Sequence, residues 1–204
     1  MAKLKIFTYT DAVLAQKAKP IARVEKRLFK LADDMFETMY DSPGVGLAAN
    51  QVGILERILV IDTDYEIQES EDEGETRAGS EVAKPTLTGK KPRILINPIL
   101  LKKEGSILFE EGCLSVPEFS AEVKRSEKII IKFQDLDGME KTLDAEGFLA
   151  VAIQHEMDHL EGKLFIDRLS PLKKEMVRKR LLKERSERES KLLASTGRAR
   201  KKDF

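Results

Sequence analysis

The chain has 204 residues, of which 41% are hydrophobic and 35% charged, a composition typical of one soluble globular domain. Its 36 lysine and arginine residues equal its 36 aspartate and glutamate residues, so net charge argues neither for nor against a nucleic-acid partner. No apolar run reaches the length of a membrane span, and the amino terminus lacks the features of a signal or transit peptide. The single cysteine, Cys113, cannot form an internal disulfide, and these features together predict a cytoplasmic protein.

A helix and a glycine-rich segment are predicted in the first quarter of the chain. Apolar positions at helical spacing predict an amphipathic helix over residues 21–40, and Asp41-Ser-Pro-Gly44 is the signal that ends it. The segment Gly44-Val-Gly-Leu-Ala-Ala-Asn-Gln-Val-Gly53 lacks the glycine spacing and the lysine of nucleotide-binding loops. Taken by itself, it indicates either a connection with tight backbone turns or a loop that approaches a ligand, with Gln51 directed at that ligand.

Predicted strands fill the middle of the chain and are interrupted by a charged segment. Residues 57–61 predict one strand, after which residues 62–92 carry an acidic cluster and no apolar periodicity beyond Ile67. We therefore interpret residues 62–92 as a long, mobile acidic insertion on the surface of a single domain that spans residues 1–204. Further short strands are predicted at residues 93–96, 99–103, 107–111, 121–124, 128–133 and 139–143.

Two further helices are predicted in the last third of the chain. A helix that opens near residues 144–147 is apolar on nearly every side, which predicts a central, buried position. Ser170-Pro171 is typical of a helix start, so a basic helix is expected over residues 171–193, followed by a disordered tail over residues 195–204. The predicted fold class is α+β, with mostly antiparallel short strands around the buried central helix, an N-terminal amphipathic helix and a C-terminal helix.

The predicted central helix contains His155-Glu156-Met157-Asp158-His159, an H-E-x-x-H pattern that uses the only two histidines in the chain. Residues four apart lie on the same face of a helix, so both imidazoles can bind one metal ion. Glu156 projects beside them, where it can hold or deprotonate a metal-bound water. Two histidines at this spacing also occur by chance, so the pattern alone leaves a purely structural role open.

A catalytic metal site of this kind needs a third protein ligand, and two residues are candidates. Glu161 lies beyond His159 at a position about 120° around the helix from His155, away from the metal-binding face. Cys113 lies in a Glu-Gly-Cys-Leu-Ser segment, where glycine gives the backbone freedom to present a thiolate. A buried structural role is the alternative interpretation of Cys113, since it is the commonest environment of a free cysteine.

Three segments, in this order, resemble the three signature motifs of peptide deformylase. They are Gly44-Val-Gly-Leu-Ala-Ala-Asn-Gln51, Glu110-Glu-Gly-Cys-Leu-Ser115 and Gln154-His-Glu-Met-Asp-His159. The resemblance extends over residues 4–180 apart from the acidic insertion. It implies a metal-dependent amide hydrolase that removes the formyl group, as formate, from the N-terminal formylmethionine of newly made polypeptides.

The resemblance also implies the composition of the metal site. Cys113, His155 and His159 are expected to hold one Fe(II) ion per chain, with water as the fourth ligand. Nickel, cobalt or zinc are expected as substitutes for iron. Ligand types alone would have indicated zinc, since one sulfur and two nitrogen ligands suit that metal.

Roles for further residues follow from the same resemblance. Glu156 is expected to act as general base and then as general acid. The side-chain amide of Gln51 and the backbone N–H of Leu114 are expected to bind the oxyanion, and Gly46 to pair with the substrate backbone. Expected around the substrate are Val45, Phe148 and Ala152 as walls of a pocket for the methionine side chain, with Glu111 and Arg125 as supporting partners.

The chain departs from the deformylase pattern at several positions. Its segment Asp11-Ala-Val-Leu-Ala15 has alanine at positions 12 and 15, where the family usually has proline and arginine. After Pro117, where some members carry an arginine that meets the substrate peptide, this chain has Glu118-Phe119-Ser120. These departures, like the long insertion, bear on substrate affinity and loop behaviour and not on the metal ligands or the base.

Two other functions compete with the deformylase interpretation. A zinc endopeptidase shares the H-E-x-x-H pattern, but it would need a further downstream ligand, and none is evident. A structural metal module or RNA-associated module would use the basic C-terminal helix but leaves Glu156 and Gln51 without a role. Within the deformylase interpretation, that helix is expected either to dock at the ribosome or to be merely solvated, and neither a membrane nor sequence-specific nucleic acid is expected as a partner.

Overall fold

The computed structural model describes residues 2–68 and 86–199, so residue 1, residues 69–85 and residues 200–204 lie outside the described residues. Within the described ranges the chain forms three α-helices and nine β-strands. The helices are α1 (Lys26–Asp41), α2 (Gly147–Leu160) and α3 (Pro171–Ala199). The strands are β1 (Gly46–Ala48), β2 (Ile58–Ile61), β3 (Glu66–Gln68), β4 (Thr86–Thr88), β5 (Arg93–Glu104), β6 (Ile107–Cys113), β7 (Val116–Arg125), β8 (Lys128–Gln134) and β9 (Glu140–Glu146).

The described strands form one central sheet and two separate hairpins. The central sheet has the order β1-β2-β5-β8-β9, and every neighbouring pair is antiparallel. Strands β6 and β7 pair with each other, as do β3 and β4. This arrangement confirms the predicted α+β class with mostly antiparallel strands.

Helix α2 lies in the core because it is apolar on most of its surface. Ala150, Ile153 and Leu160 are fully buried in one cluster with residues of the central sheet, among them Leu59 and Ile131. The β6–β7 hairpin lies against another side of the helix, and both of its strands contribute side chains that contact α2. The H-E-x-x-H pattern is therefore held between the sheet and this hairpin.

Helix α1 is the predicted amphipathic helix, with Leu28 and Met39 fully buried in a second cluster on the sheet. It begins five residues later than predicted, at Lys26. The reason is that Ile21 is bound elsewhere: its backbone N–H donates to Asn97 Oδ1 at 2.8 Å, and Asn97 Nδ2 donates back to the Ile21 carbonyl at 2.8 Å. These bonds keep the start of the segment extended.

Strand β5 continues through Asn97-Pro98, where the sequence predicted a break. The pairing with β8 shifts register between Ile96 and Ile99, and Asn97 has a positive φ of 52°. A bulge of this kind accommodates a proline, which has no N–H for the ladder. The proline therefore bends the strand without ending it.

The prediction of a loop over residues 62–92 is wrong near both ends of that range, where the chain forms strands β3 and β4. Strands β3 and β4 pair as a short antiparallel hairpin with Glu66 opposite Thr88. Each strand has three residues, too few for a hydrophobic alternation to be recognised in the sequence. The remainder of the predicted insertion, residues 69–85, lies outside the described residues.

The C-terminal helix is longer than predicted. Helix α3 begins at Pro171, as expected, with the Ser170 hydroxyl accepting the Lys173 backbone N–H at 3.4 Å. It continues to Ala199, which corrects the predicted end at residue 193 and the expected disorder over residues 195–199. None of the helices in the described part of the chain has the length and apolarity of a membrane span.

Candidate metal centre and active site

Helix α2 presents His155 and His159 on one face, with ring centroids 5.0 Å apart. The Sγ atom of Cys113, the last residue of β6, lies 3.2 Å from His159 Nε2. One ligand atom from each of these three residues lies within 4.8 Å of the others. Glu161, the other candidate ligand, is turned away, with its carboxylate bound to Arg57 at 2.5 Å. Of the two candidates, only Cys113 lies with the histidines, in a group that could hold a metal ion.

The chemistry of these three side chains fits a transition-metal ion. His155 Nδ1 lies 2.7 Å from a carboxylate oxygen of Glu111, which leaves its Nε2 for a ligand. His159 Nδ1 is buried without a hydrogen-bond partner among the described residues. One thiolate and two imidazoles form a donor set that suits zinc, iron, cobalt or nickel.

The two histidines have pKa shifts in opposite directions. Burial lowers the pKa of His155, but its contacts with Cys113 and Glu111 outweigh burial, so the net pKa is raised well above the usual value. The pKa of His159 is lowered well below the usual value by burial and by the positive charges of His155 and Arg125. This shift favours the neutral form of His159, the form in which an imidazole binds a metal.

A chain of buried charged groups supports His155 from behind. Arg125 Nε and Nη2 donate to the two oxygens of Glu111 at 2.6 and 2.8 Å, and Arg125 Nη1 donates to Asp158 Oδ2 at 2.5 Å. Arg168 then donates to both oxygens of Asp158, each at 2.5 Å. Burial raises the pKa of Glu111, but its bonds from Arg125 and His155 prevail and lower it to about 2. The sequence indicated Glu111 and Arg125 as partners but not Asp158 or Arg168, because nothing in linear spacing reveals this contact.

Glu156 is 5% exposed and lies beside the metal-binding face of α2. Burial raises the pKa of its carboxyl group to about 7. Its Oε2 atom has no hydrogen-bond partner among the described residues. A buried carboxyl group with a pKa near neutrality can both accept and return a proton.

Gly46 brings the backbone of β1 directly against this carboxyl group. A Cβ atom added at Gly46 would lie 2.6 Å from Glu156 Oε1, so no larger residue fits there without displacing the carboxylate. The glycine-rich segment therefore brings backbone close to the Glu156 side chain, and its predicted approach to a ligand stays a prediction.

Gln51 lies in a turn of 3-10 helix (Ala49–Val52) and is 1% exposed. Its Oε1 accepts the Ala48 backbone N–H at 2.8 Å, which fixes the orientation of the amide. Its Nε2 is then directed at Ser115 Oγ, 3.3 Å away, and at Cys113 Sγ, 3.7 Å away. Leu114 lies in the turn between β6 and β7, next to Cys113. The structure thus brings the predicted oxyanion donors to the side of the site that Cys113 forms.

A cavity of about 660 Å³ opens onto this group of residues. The expected pocket residues Val45, Phe148 and Ala152 all line it, as does Glu111. Arg125, grouped with them from the sequence, does not line the cavity because its guanidinium is enclosed between Glu111 and Asp158. Residues of the lining to which sequence reasoning assigned no role in the pocket are Ser42, Pro43, Phe109, Val116, Pro117, Glu118, Phe119 and Val151.

The residues that depart from the deformylase pattern lie on two elements of the fold. Ser120 lies on β7, where its hydroxyl donates to Glu110 Oε1 at 2.6 Å, and it is not part of the cavity lining. Ala12 and Ala15 lie in a turn of 3-10 helix, and a Cβ atom added at Gly162 would lie 2.7 Å from the Ala15 carbonyl oxygen.

Comparison with known proteins agrees with the geometry. A family model described as Polypeptide deformylase matches residues 3–175. The chain is 45% identical over 188 residues to Peptide deformylase 2 of Xanthomonas axonopodis pv. citri, covering 91% of this chain and 98% of that protein. It is 44% identical over 180 residues to the peptide deformylase of Thermodesulfovibrio yellowstonii, covering 88% of this chain and 97% of that protein.

A solved structure is similar as well. The crystal structure of a peptide deformylase from Legionella pneumophila has a TM-score of 0.74 and 38% sequence identity, and it covers 92% of this chain and 98% of that one. The zinc endopeptidase alternative receives no support from these relatives. The matches cover nearly the whole chain, and the residues that carry the resemblance meet at one cavity, so the protein belongs to the polypeptide deformylase family.

Proposed function

We propose that this deformylase releases formate from the N-terminal formylmethionine of newly made polypeptides at a metal centre formed by Cys113, His155 and His159. The observation that carries the proposal is the convergence of three ligand atoms within 4.8 Å beside a buried carboxyl group and an open cavity. A metal-dependent amide hydrolase needs metal ligands, a base and a donor for the oxyanion, and this cavity offers candidates for all three.

The metal that we propose is Fe(II), one ion per chain, with nickel, cobalt or zinc able to replace it. The thiolate and imidazole donors support a transition metal, and the choice of iron among them comes from the family resemblance. When bound, such an ion lowers the pKa of a coordinated water and polarises the formyl carbonyl. The bond from Glu111 to His155 orients that imidazole and favours its binding through Nε2.

Glu156 is the proposed general base and acid. Its carboxylate takes a proton from the water that attacks the formyl carbon, and it returns the proton to the amine nitrogen as the C–N bond breaks. The products are formate and a polypeptide with a free amino terminus. A pKa raised by burial to about 7 supports both halves of this role, since the group can exchange a proton near neutral pH.

The proposed oxyanion donors are the Gln51 side-chain amide and the backbone N–H of Leu114. The Gln51 amide is fixed by the bond to Ala48, so it needs little reorganisation when negative charge develops on the substrate oxygen. A preorganised donor of this kind typically contributes about 3 kcal/mol to stabilising the transition state.

The substrate is proposed to bind in an extended conformation along Gly46 and its neighbours. Backbone groups there can pair with the peptide as an added strand would. The methionine side chain then enters the pocket with Val45, Phe148 and Ala152 in its walls. Phe148 is 42% exposed and stacks on Phe109 with ring centroids 5.3 Å apart, an apolar surface that suits a thioether.

The test is an assay of protein purified without oxygen and loaded with Fe(II) or Ni(II). Formate release from formyl-Met-Ala-Ser is measured beside cleavage of an internal peptide bond, which a zinc endopeptidase would catalyse. In Glu156→Gln, formate release should fall by at least about 1,000-fold, since the base is lost, while metal content stays at one ion per chain.

The matched control is Glu146→Gln, the same change at an exposed residue that precedes α2 and pairs with Lys128. It should leave formate release unchanged. Absence of formate from the fully loaded wild-type protein would contradict the proposed function. Internal cleavage in its place would favour the endopeptidase.

Docking at the ribosome, in the cytoplasm, is a second proposal and concerns helix α3. The exposed side chains of Lys173, Arg178 and Lys179 support it, because they form a basic surface that can meet anionic RNA. A truncation at Ser170 would also remove the buried residues Val177 and Leu181, so the charge reversals Lys173→Glu and Arg178→Glu are the cleaner test. They should reduce co-sedimentation with ribosomes and leave formate release unchanged, and unchanged co-sedimentation would contradict docking.

A further inference from the structure

The beginning of the acidic insertion contacts one wall of the active-site cavity. This wall segment, Ser42–Gly46, links α1 to β1 and lines the cavity on the same side as Glu156. The side chain of Tyr65 reaches it, and the Tyr65 hydroxyl donates a hydrogen bond to the Gly44 carbonyl oxygen at 2.9 Å. A residue outside the three motifs therefore holds the backbone of the first motif.

The orientation of Tyr65 is fixed by its packing on helix α1. Its ring meets the ring of Tyr40 edge to face, with centroids 5.2 Å apart and an interplanar angle of 88°. Tyr40 is itself held, since its hydroxyl donates to Asp62 Oδ2 at 2.6 Å. The phenol of Tyr65 is thus a preoriented donor, for which forming the bond to Gly44 costs little side-chain entropy.

Asp62 joins both ends of the insertion to the wall segment. It is fully buried, its Oδ1 accepts the Asp64 backbone N–H at 3.1 Å, and its Oδ2 accepts the Lys91 backbone N–H at 3.0 Å. Its own backbone N–H donates to the Val45 carbonyl at 2.9 Å, next to the bond from Tyr65. The base of the insertion and the wall segment therefore form one hydrogen-bonded unit.

Small movements of the wall segment would reach the residues proposed for the chemistry. A Cβ atom added at Gly44 would lie 3.0 Å from Leu114 Cδ1, and one added at Gly46 would lie 2.6 Å from Glu156 Oε1. The backbone of the segment is thus packed between these two side chains. Its position determines how an extended peptide can lie across the cavity.

We propose that Tyr65 is a positioning residue for the substrate, because its hydroxyl holds the Gly44–Gly46 backbone where it pairs with the peptide. The inference rests on the proposed function, since it takes the substrate to be a formylated peptide. Tyr65 does not line the cavity, so its effect falls on peptide binding and not on the bond-breaking step. The contribution should grow with peptide length, because a longer peptide pairs with more of the segment.

The experiment compares Tyr65→Phe with the wild-type protein, both fully loaded with Ni(II). This change removes one hydroxyl and keeps the ring that packs on Tyr40. The KM for formyl-Met-Ala-Ser should rise about three- to tenfold, the equivalent of one hydrogen bond, while kcat stays within about twofold. The KM for formyl-methionine amide, which has one residue, should change less. Tyr9→Phe is the matched control, because it removes the same atom from a side chain whose hydroxyl, among the described contacts, has no hydrogen bond to the wall segment.

Hydrogen exchange of the backbone amides at residues 44–46 provides a second readout that does not depend on activity. Exchange there should be faster in Tyr65→Phe, while the thermal midpoint of unfolding falls by no more than about 5 °C, as expected for one lost hydrogen bond. An unchanged tripeptide KM, or an equal rise for the one-residue substrate, overturns the inference. A wild-type protein that releases no formate contradicts the proposed function instead. In that case the exchange rates alone test whether the Tyr65 hydroxyl holds the Gly44–Gly46 backbone. Faster exchange in Tyr65→Phe supports this role, and unchanged exchange overturns it.

Discussion

At the scale of single residues, the site depends on one position where the backbone has no room for a side chain. Gly46 lies so close to Glu156 that an added Cβ atom would meet Oε1 at 2.6 Å. We expect Gly46→Ala to lower kcat about 100-fold, because the methyl group must displace the carboxyl group that moves the proton. The measurement is formate release under saturating substrate, with metal content determined on the same sample.

A double variant separates this clash from a general defect in β1. In Gly46→Ala the overpacking should cost about 1–3 kcal/mol in the free energy of unfolding, measured in urea. When Glu156 is also changed to alanine, the carboxylate is gone and the same glycine change should cost clearly less. Additive losses in the double variant would contradict a direct clash between the two positions.

The sequence predicted those site residues whose relation is local. The spacing of His155 and His159 on one helix follows from helical geometry, and no tertiary information is needed to see it. Cys113 was one of two candidates for the third ligand, and the fold places it beside the histidines whereas Glu161 binds Arg57. The contact from Tyr65 to Gly44 could not be predicted, since it depends on the path of the chain after β2.

At the scale of elements, the β6–β7 hairpin is held to helix α2 by the buried side chain of Arg125. This guanidinium is 3% exposed and bonds to Glu111 on β6 and to Asp158 on α2. We expect Arg125→Met to lower the free energy of unfolding by about 3–5 kcal/mol, because it leaves two buried carboxylates without their common partner. The measurement is urea unfolding with a chelator present, so that any loss of metal does not contribute.

An exposed ion pair serves as the comparison for Arg125. Lys128 and Glu146 pair at 2.6 Å, but their side chains are 52% and 70% exposed. Lys128→Met should therefore change the free energy of unfolding by no more than about 1 kcal/mol. If Arg125→Met cost no more than Lys128→Met, the hairpin would be held to the helix by its apolar contacts alone.

Elements with a long periodic pattern were predicted well, and short elements were not. Helices α1, α2 and α3 carry enough turns for amphipathicity, burial or a start signal to be read from the sequence. Strand β7 runs from Val116 to Arg125 although only residues 121–124 were predicted. Its first half contains Pro117 and faces a register shift between Gly112 and Cys113 of β6, and both features interrupt the pattern of a regular strand. Strands β3 and β4 exist only as partners of each other, which single-strand patterns cannot reveal.

At the scale of the whole molecule, the proposed metal joins parts of the fold that are distant in sequence. Cys113 ends a strand of the β6–β7 hairpin, whereas both histidines lie on α2. Around them lie two separate hydrophobic clusters. One packs the hairpin against the start of α3, and the other packs the central sheet against α2. A metal bound by both parts binds the folded state more tightly than the unfolded chain, and it therefore stabilises the folded state.

Removal of the metal should therefore lower the thermal midpoint of the protein. At a free metal concentration about 100 times the Kd, binding contributes about 2.7 kcal/mol, which for a chain of this size corresponds to about 5–10 °C. Calorimetry of the Ni(II) form and of the chelated form measures the difference, and re-addition of Ni(II) should restore the higher midpoint. Cys113→Ser should remove most of the difference, because an oxygen ligand holds nickel less well than a thiolate does. An equal gain in midpoint for that variant would show that nickel stabilises the protein at another site.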